Sequence, residues 1–220
     1  MKPALLAAGL LLPATVCAHH VAFLPEMEFE APAAGSYVLH RIMPAPEGRV
    51  LDLDGKTAPL SRYTRGAITL LGFIYTTCTD PQGCPLAYRM FDALREEIDS
   101  TPRLHGKVRL VTLSFDPARD TPEAMRSYAG SRALDKGGGV RWYFLTTRTA
   151  RELIPLVDGF GQDIVTVMDR SRGKLRRELA HVLKVFLIDA GGEVREIYSS
   201  SFLHPRVVMN DIETLLLEQR

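Results

Sequence analysis

The sequence predicts an α/β fold, in which helices flank a central mixed sheet and a hairpin extends the N-terminal side. Ile68–Tyr75 is a run of eight uncharged residues rich in β-branched and aromatic types, as expected of a strand buried on both faces. Val108–Phe115 has the character of a second buried strand, and each run is followed by a helical pattern. The chain then closes with a strand, a turn, a strand and a final helix.

The segment before the first buried strand predicts the N-terminal hairpin. Residues 19–36 mix acids, prolines and alanines and are expected to form an extended lead-in. Tyr37–Leu39 and Gly48–Leu53 are predicted as short strands, with Asp54 and Gly55 in a hairpin turn.

A helix is predicted from Pro85 onward, because apolar residues recur there every four positions. These residues are Leu86, Met90, Leu94 and Ile98. Proline suits the first helical position, which predicts Cys84 as the N-cap. The helix dipole favours an anion at that place, so we expect the Cys84 thiol to have a lowered pKa.

Two cysteines lie around the turn between this strand and this helix. Cys78 follows the strand, and five residues with turn character separate it from Cys84. Both are predicted at the carboxyl end of a central strand, where α/β folds place their sites. In an oxidising compartment, cysteines at this spacing either pair as a disulfide or hold a metal.

The remaining elements follow the order of a thioredoxin-like fold with an additional N-terminal hairpin. The residues from Asp120 to Glu123 predict the start of a helix that runs to about Ala129. The later elements are a strand at 140–145, a helix at 150–160, a hairpin of 164–168 with 174–179, strands at 184–188 and 194–198, and a helix at 205–217.

The first eighteen residues have the pattern of a secretory signal. Lys2 precedes the apolar run Ala4–Leu12, and Val16–Ala18 ends in small residues, which predicts cleavage before His19 and a periplasmic protein. A membrane anchor is the competing interpretation, but the apolar run is shorter than the roughly 20 residues that span a bilayer. We therefore divide the chain into a signal peptide (1–18), the lead-in (19–36) and one domain (37–220).

Charge argues against a nucleic-acid partner. Removing residues 1–18 takes away one lysine from the 27 basic residues, and the 26 that remain balance the 26 acidic residues. The stretch Arg170–Arg177 carries five basic residues, which fit either a solvated turn or a docking site for an acidic partner.

Three motifs resemble the Sco/SenC family, whose members bind copper and help to assemble cytochrome c oxidase. The first is the segment from Phe73 to Pro85 with both cysteines, and the second is the run from Ser114 to Glu123, SFDPARDTPE. The third is His181 before a strand that ends in Ile188 and Asp189. This resemblance covers about residue 48 to the last helix. It implies a thioredoxin-like fold in which Cys78, Cys84 and His181 hold copper as Cu(I) or Cu(II).

The chain departs from the family pattern at two positions near these residues. Family members have three residues between the cysteines, whereas this chain has five. Ala180 stands where the family has an aspartate before the histidine. Two thiolates and an imidazole remain a donor set suited to copper.

Three functions are compatible with this resemblance. The first is a non-enzymatic periplasmic metallochaperone that supplies a cytochrome c oxidase subunit with its copper-A site, or serves another periplasmic copper protein, with peripheral membrane association. The alternative is a thiol-disulfide oxidoreductase with Cys78 and Cys84 as its catalytic redox pair. The third is a peroxidase-like or copper-stress protein. His181 should be indispensable to metal binding in the metallochaperone, whereas replacing it should leave the activity of the oxidoreductase intact. His40, His105 and His204 are interpreted as surface residues.

Overall fold

The computed structural model describes residues 27, 29–134, 137–169 and 176–218. The predicted signal peptide and its cleavage site lie outside these residues, as do Arg170, Arg172 and Lys174. The strands are β1 (Met43–Pro44), β2 (Arg49–Leu51), β3 (Thr57–Pro59), β4 (Ile68–Ile74), β5 (Val108–Ser114), β6 (Arg141–Leu145), β7 (Ile164–Asp169), β8 (Arg176–His181), β9 (Val185–Ile188) and β10 (Glu193–Tyr198). The helices are α1 (Ser61–Thr64), α2 (Cys84–Asp99), α3 (Pro122–Ala129), α4 (Ala150–Gly159) and α5 (Pro205–Glu218).

Six strands form the central sheet in the order β1-β10-β9-β4-β5-β6. Strands β4, β5 and β6 run parallel, whereas β9 runs antiparallel to β4 on its other side, so the sheet is mixed as predicted. All seven residues of β4 are buried, because this strand has neighbours on both edges and helices on both faces. Among the described residues, no helix combines the length and the apolar character needed to cross a lipid bilayer.

The two faces of β4 bury different helices. Gly72 faces α2, and a Cβ atom at this glycine would lie only 3.3 Å from the ring of Phe91. Phe73 points to the other face, where its ring meets Phe160, just after α4, with centroids 5.5 Å apart. The glycine therefore lets α2 approach the strand closely, and this helix carries Cys84 at its first turn.

The predicted N-terminal hairpin forms only in part. Strands β2 and β3 pair around Gly55 as predicted, with a φ of 73° at this glycine. The predicted strand at Tyr37–Leu39 is wrong, because this segment crosses α5 instead of pairing in a sheet. Its polar groups bond to side chains, with the Tyr37 hydroxyl donating to Asp211 and the Gly35 N–H to Thr214 Oγ1 at 2.9 Å.

The second predicted hairpin is confirmed and extends further than the sequence indicated. Strands β7 and β8 form a separate two-stranded sheet, which we call the histidine hairpin. The register pairs Ile164 with His181, so the second strand ends at His181 and not at residue 179. His181 is thus the last residue of a strand and precedes the short connection to β9.

Candidate metal centre

The three predicted ligands come from three different elements. Cys78 follows β4 and is half-buried, Cys84 is the first residue of α2 and is buried, and His181 ends the histidine hairpin. We call residues 76–84 the cysteine loop. Because parallel β4 and β5 both end at this side of the sheet, the loop lies at the carboxyl edge predicted from the sequence.

The structure brings Cys84 and His181 together although 97 positions separate them in the chain. Cys84 Sγ lies 3.9 Å from His181 Nε2. The other ring nitrogen, Nδ1, lies 3.4 Å from the carbonyl oxygen of Leu179. A hydrogen on Nδ1 would therefore face that carbonyl and leave the Nε2 lone pair directed at the thiol.

The two free thiols differ in acidity. The pKa of the Cys78 thiol is lowered to about 6, chiefly because the Cys84 thiol donates a hydrogen bond to it. The backbone N–H groups of Cys84 and Asp80 and the hydroxyl of Tyr75 also lower this pKa. The pKa of Cys84 is raised, because its proton is held in that bond and because the side chain is buried.

The predicted low pKa at Cys84 is therefore wrong, and so is its predicted place in the helix. Gly83 is the N-cap, and Cys84 is the first helical residue, buried to 2% exposure. The interaction with Cys78 and, after it, burial oppose ionisation of Cys84 more strongly than the helix dipole favours it. Cys78 is the better thiolate, since it is more exposed and receives several hydrogen bonds.

Asp120 anchors the start of the cysteine loop. Its carboxylate accepts hydrogen bonds from the backbone N–H of Thr76, at 3.1 Å, and from the hydroxyls of Thr76 and Ser114. Only 1% of Asp120 is exposed, so these bonds replace the water that a carboxylate otherwise requires. The sequence indicated Asp120 as part of the second family motif and of a helix start, where Thr121 is in fact the N-cap.

The five residues between the cysteines fold into a compact turn. The side chain of Asp80 accepts a hydrogen bond from the N–H of Gln82 at 3.0 Å, and its carbonyl accepts one from Gly83 at 3.0 Å. Arg89 of α2 donates to the carbonyl of Pro81 at 3.3 Å. The longer loop thus keeps the two thiols close enough for Cys84 to lower the pKa of Cys78.

Two aromatic rings support His181, a feature that the sequence analysis missed. The ring of Phe115 meets the imidazole edge-on at 4.7 Å, and the ring of Tyr75 does so at 6.1 Å. Both residues directly follow core strands, since Tyr75 comes after β4 and Phe115 after β5. Their position inside the first two family motifs was the available signal.

The remaining candidates do not join this site. Within the described ranges, no group of three or more His, Cys, Asp or Glu side chains is arranged closely enough to hold a metal ion as it stands. His40 is exposed as predicted, whereas His105 and His204 are half-buried, which the sequence analysis did not expect. His105 Nε2 lies 3.0 Å from the carbonyl oxygen of Asp99, which explains its partial burial.

The fold and the site define a class: a thioredoxin-like α/β protein in which a cysteine and a histidine meet, beside a second cysteine, at the end of the central strand. A family model described as SCO1/SenC matches residues 49–217. The chain belongs to this family, as the three sequence motifs indicated. Among curated proteins, none matches the sequence significantly.

Solved structures share the fold at low sequence identity. Arabidopsis thaliana ScoI with copper bound is 18% identical with a TM-score of 0.64, and the match covers 79% of this chain and 98% of that one. The apo Sco1 protein from Thermus thermophilus is 22% identical with a TM-score of 0.62, covering 84% and 98%. BsSco, described as having a disulfide switch and as a member of the Sco family of cytochrome c oxidase assembly proteins, is 20% identical with a TM-score of 0.57, covering 80% and 95%.

Proposed function

We propose that this protein is a periplasmic copper metallochaperone. It binds one copper ion through Cys78, Cys84 and His181, and it delivers copper to the copper-A site of a cytochrome c oxidase subunit or prepares that site. Family membership supports the general role in oxidase assembly, and copper-bound relatives support the choice of metal. The secretory pattern of residues 1–18 supports the compartment.

The contact between Cys84 and His181 carries this proposal. A sulfur and a ring nitrogen that lie 3.9 Å apart need only a small approach to share one metal ion. The Cys84 thiol is the largest cause of the lowered pKa of Cys78, so the third donor is a neighbour of Cys84. The hydrogen bonds of Asp120 hold the start of the cysteine loop in place. The rings of Phe115 and Tyr75 pack against His181.

The chemistry of the donors fits copper. Thiolates are soft ligands that select Cu(I), and imidazole suits copper in either oxidation state. Bound copper would supply a centre that exchanges one electron. The ion could also pass to a partner whose ligands are similarly soft. The residues of this chain prepare the site, since Cys78 ionises near pH 6 and the His181 Nδ1 atom faces a carbonyl that leaves Nε2 for the metal.

The thiol-disulfide oxidoreductase receives less support. Oxidoreductases of this fold place a proline next to the cysteines, where this chain has Ala180 and His181. An imidazole directed at Cys84 has no required part in thiol exchange, whereas it is a ligand in the copper proposal. We therefore retain the metallochaperone as the function that the site supports best.

Copper titration of the reduced protein tests this proposal. We expect one copper per chain in competition with a Cu(I) chelator, and charge-transfer absorption between thiolate and Cu(II). Both signals should be lost in His181→Ala and in Cys84→Ser. The exposed His40→Ala is the matched control and should bind copper like the unchanged protein.

The delivery step needs a separate measurement in cells. A strain that lacks this chain should make oxidase with a depleted copper-A centre, and the unchanged gene but not His181→Ala should restore it. Copper binding that survives in His181→Ala would refute the proposed ligand set. If the purified protein binds copper but the deletion strain still makes normal oxidase, only the delivery role is refuted.

A further inference from the structure

A second site lies at the opposite end of the sheet from the cysteines. A cavity of about 360 Å³ opens at the amino-terminal ends of β5 and β6. Its walls include Gly106, Arg109, Gly138, Gly139, Arg141 and Tyr143, and none of the described residues that line it is acidic. The two arginines give the described lining of this cavity a basic character.

Arg109 and Arg141 are direct neighbours. They are register partners in the parallel pair of β5 and β6, so their Cα atoms lie roughly 5 Å apart and their side chains leave the same face of the sheet. Like charges in such adjacent positions repel each other. An anion bound between the two guanidinium groups would attract both of them.

Backbone groups hold the guanidinium of Arg109 in a fixed orientation. It donates to the carbonyl oxygens of Arg62 at 3.0 Å and Arg65 at 2.7 Å. These carbonyls carry no net charge, and within the described part of the chain no carboxylate pairs with Arg109. Burial lowers the pKa of this guanidinium, so the surroundings disfavour a charge that no acidic side chain compensates.

The walls of the cavity leave room for a ligand. A Cβ atom at Gly106 or at Gly138 would meet nothing within 4 Å, so open space adjoins both glycines. Asp99 stands behind Gly139 as the nearby acid. Its carboxylate already accepts the N–H of Val140 at 2.7 Å and lies 3.7 Å from Arg95, which engages it on the protein side.

We propose that this cavity binds a phosphate group between Arg109 and Arg141. Phosphate oxygens match the forked donors of guanidinium, and a dianion would attract both guanidinium groups. The cavity is open to solvent beside exposed Arg141, so the group could belong to inorganic phosphate or to the headgroup of an anionic lipid. The site is independent of copper and goes beyond the proposed function.

Calorimetric titration of the full chain with inorganic phosphate tests the site, with Arg109→Gln and Arg141→Gln as variants. We expect each variant to weaken phosphate binding by about tenfold or more, since each removes a charge-assisted contact. Arg206→Gln, an exposed arginine on α5, removes the same charge elsewhere and should change the affinity less than about twofold. Because Arg141 is exposed, its variant keeps the test valid even if Arg109→Gln lowers stability.

A second arm compares vesicles of phosphatidylglycerol with vesicles of phosphatidylcholine. A preference for phosphatidylglycerol that both variants abolish would support the site and assign it to a lipid headgroup. Saturable binding of free phosphate without this preference would support the site and assign it to the free anion. The proposal is overturned if neither probe binds, or if Arg206→Gln weakens binding as much as the two cavity variants do.

Discussion

The cysteine loop and the histidine hairpin contribute to one site but are attached to the protein in different ways. The loop begins at a fully buried strand and is held by the carboxylate of Asp120. The hairpin forms its own two-stranded sheet, and Val165, Val167 and Met168 on β7 are exposed. Its base is fixed at few places, among them buried Leu179 and the bond from Gln162 Nε2 to the carbonyl of Val182, at 3.0 Å.

This difference predicts that the properties of the thiols do not depend on the imidazole. Segments with few buried contacts open at lower free energy than those tied into the core. The thiol pair is therefore expected to keep its properties without the histidine, whereas the histidine depends on the surfaces against which it packs. The following four predictions test that asymmetry.

The largest expected effect concerns the acidity of Cys78. Cys84→Ala removes the donor that contributes most to the low pKa, so the pKa of Cys78 should rise from about 6 toward the ordinary thiol value. The thiolate is the reactive form, so the fall in its population should slow alkylation at pH 6 about fivefold for the first unit of this rise. His181→Ala should leave the alkylation profile of the metal-free protein nearly unchanged. An equal shift in both variants would mean that the two halves are not independent.

The next effect is the loss of the anchor at Asp120. Asp120→Asn disrupts a buried set of three hydrogen bonds and should lower the free energy of unfolding by about 2–3 kcal/mol. It should also change the reduction equilibrium of the Cys78–Cys84 pair against glutathione. Asp116→Asn is the control, because Asp116 is equally buried but its carboxylate pairs with Arg119 and does not contact the loop.

A smaller effect is expected at the ring beneath the imidazole. Phe115→Leu removes the edge-on contact at 4.7 Å and should cost about 1 kcal/mol of stability. It should shift the NMR signals of the His181 ring while leaving the Cys78 alkylation profile in place. Phe29→Leu, at an exposed ring pair with centroids 5.8 Å apart, should leave the His181 signals unchanged.

The smallest effect is expected on the outer face of the hairpin. Val167→Thr alters an exposed β-branched side chain in a strand, so stability should change by less than about 0.5 kcal/mol. Copper affinity should stay the same. A large loss of stability, measured by denaturant unfolding, would show that the hairpin packs more firmly than its exposure indicates.

The core elements were predictable because their signals are local. The uncharged run of β4 identifies the strand that leads to Cys78. The apolar residues at every fourth position of α2 identify the helix that carries Cys84. His181 was a candidate only through the family motif, because the sequence does not show that a residue 97 positions away returns to Cys84. The three-ligand set therefore stays a prediction, with one of its contacts seen directly.

The errors arose where long-range contacts decide the outcome. Tyr37–Leu39 has the composition of a strand, yet its polar groups bond to distant side chains. The Tyr37 hydroxyl donates to Asp211 of α5, and the Leu39 carbonyl accepts from the buried Arg195. The pKa of Cys84 followed burial and the neighbouring thiol, not its place at a helix start. Neither the bonding partners of Tyr37–Leu39 nor the surroundings of Cys84 can be predicted from the residues adjacent in sequence.

The edge of the central sheet has a consequence for how the protein meets others. Its outermost strand, β1, is only two residues long and ends in Pro44, which has no N–H to offer. A second chain approaching here would find almost no ladder of donors and acceptors to continue. Strand addition onto β1 would therefore gain few backbone hydrogen bonds, so a partner that contacts β1 would depend mainly on side chains.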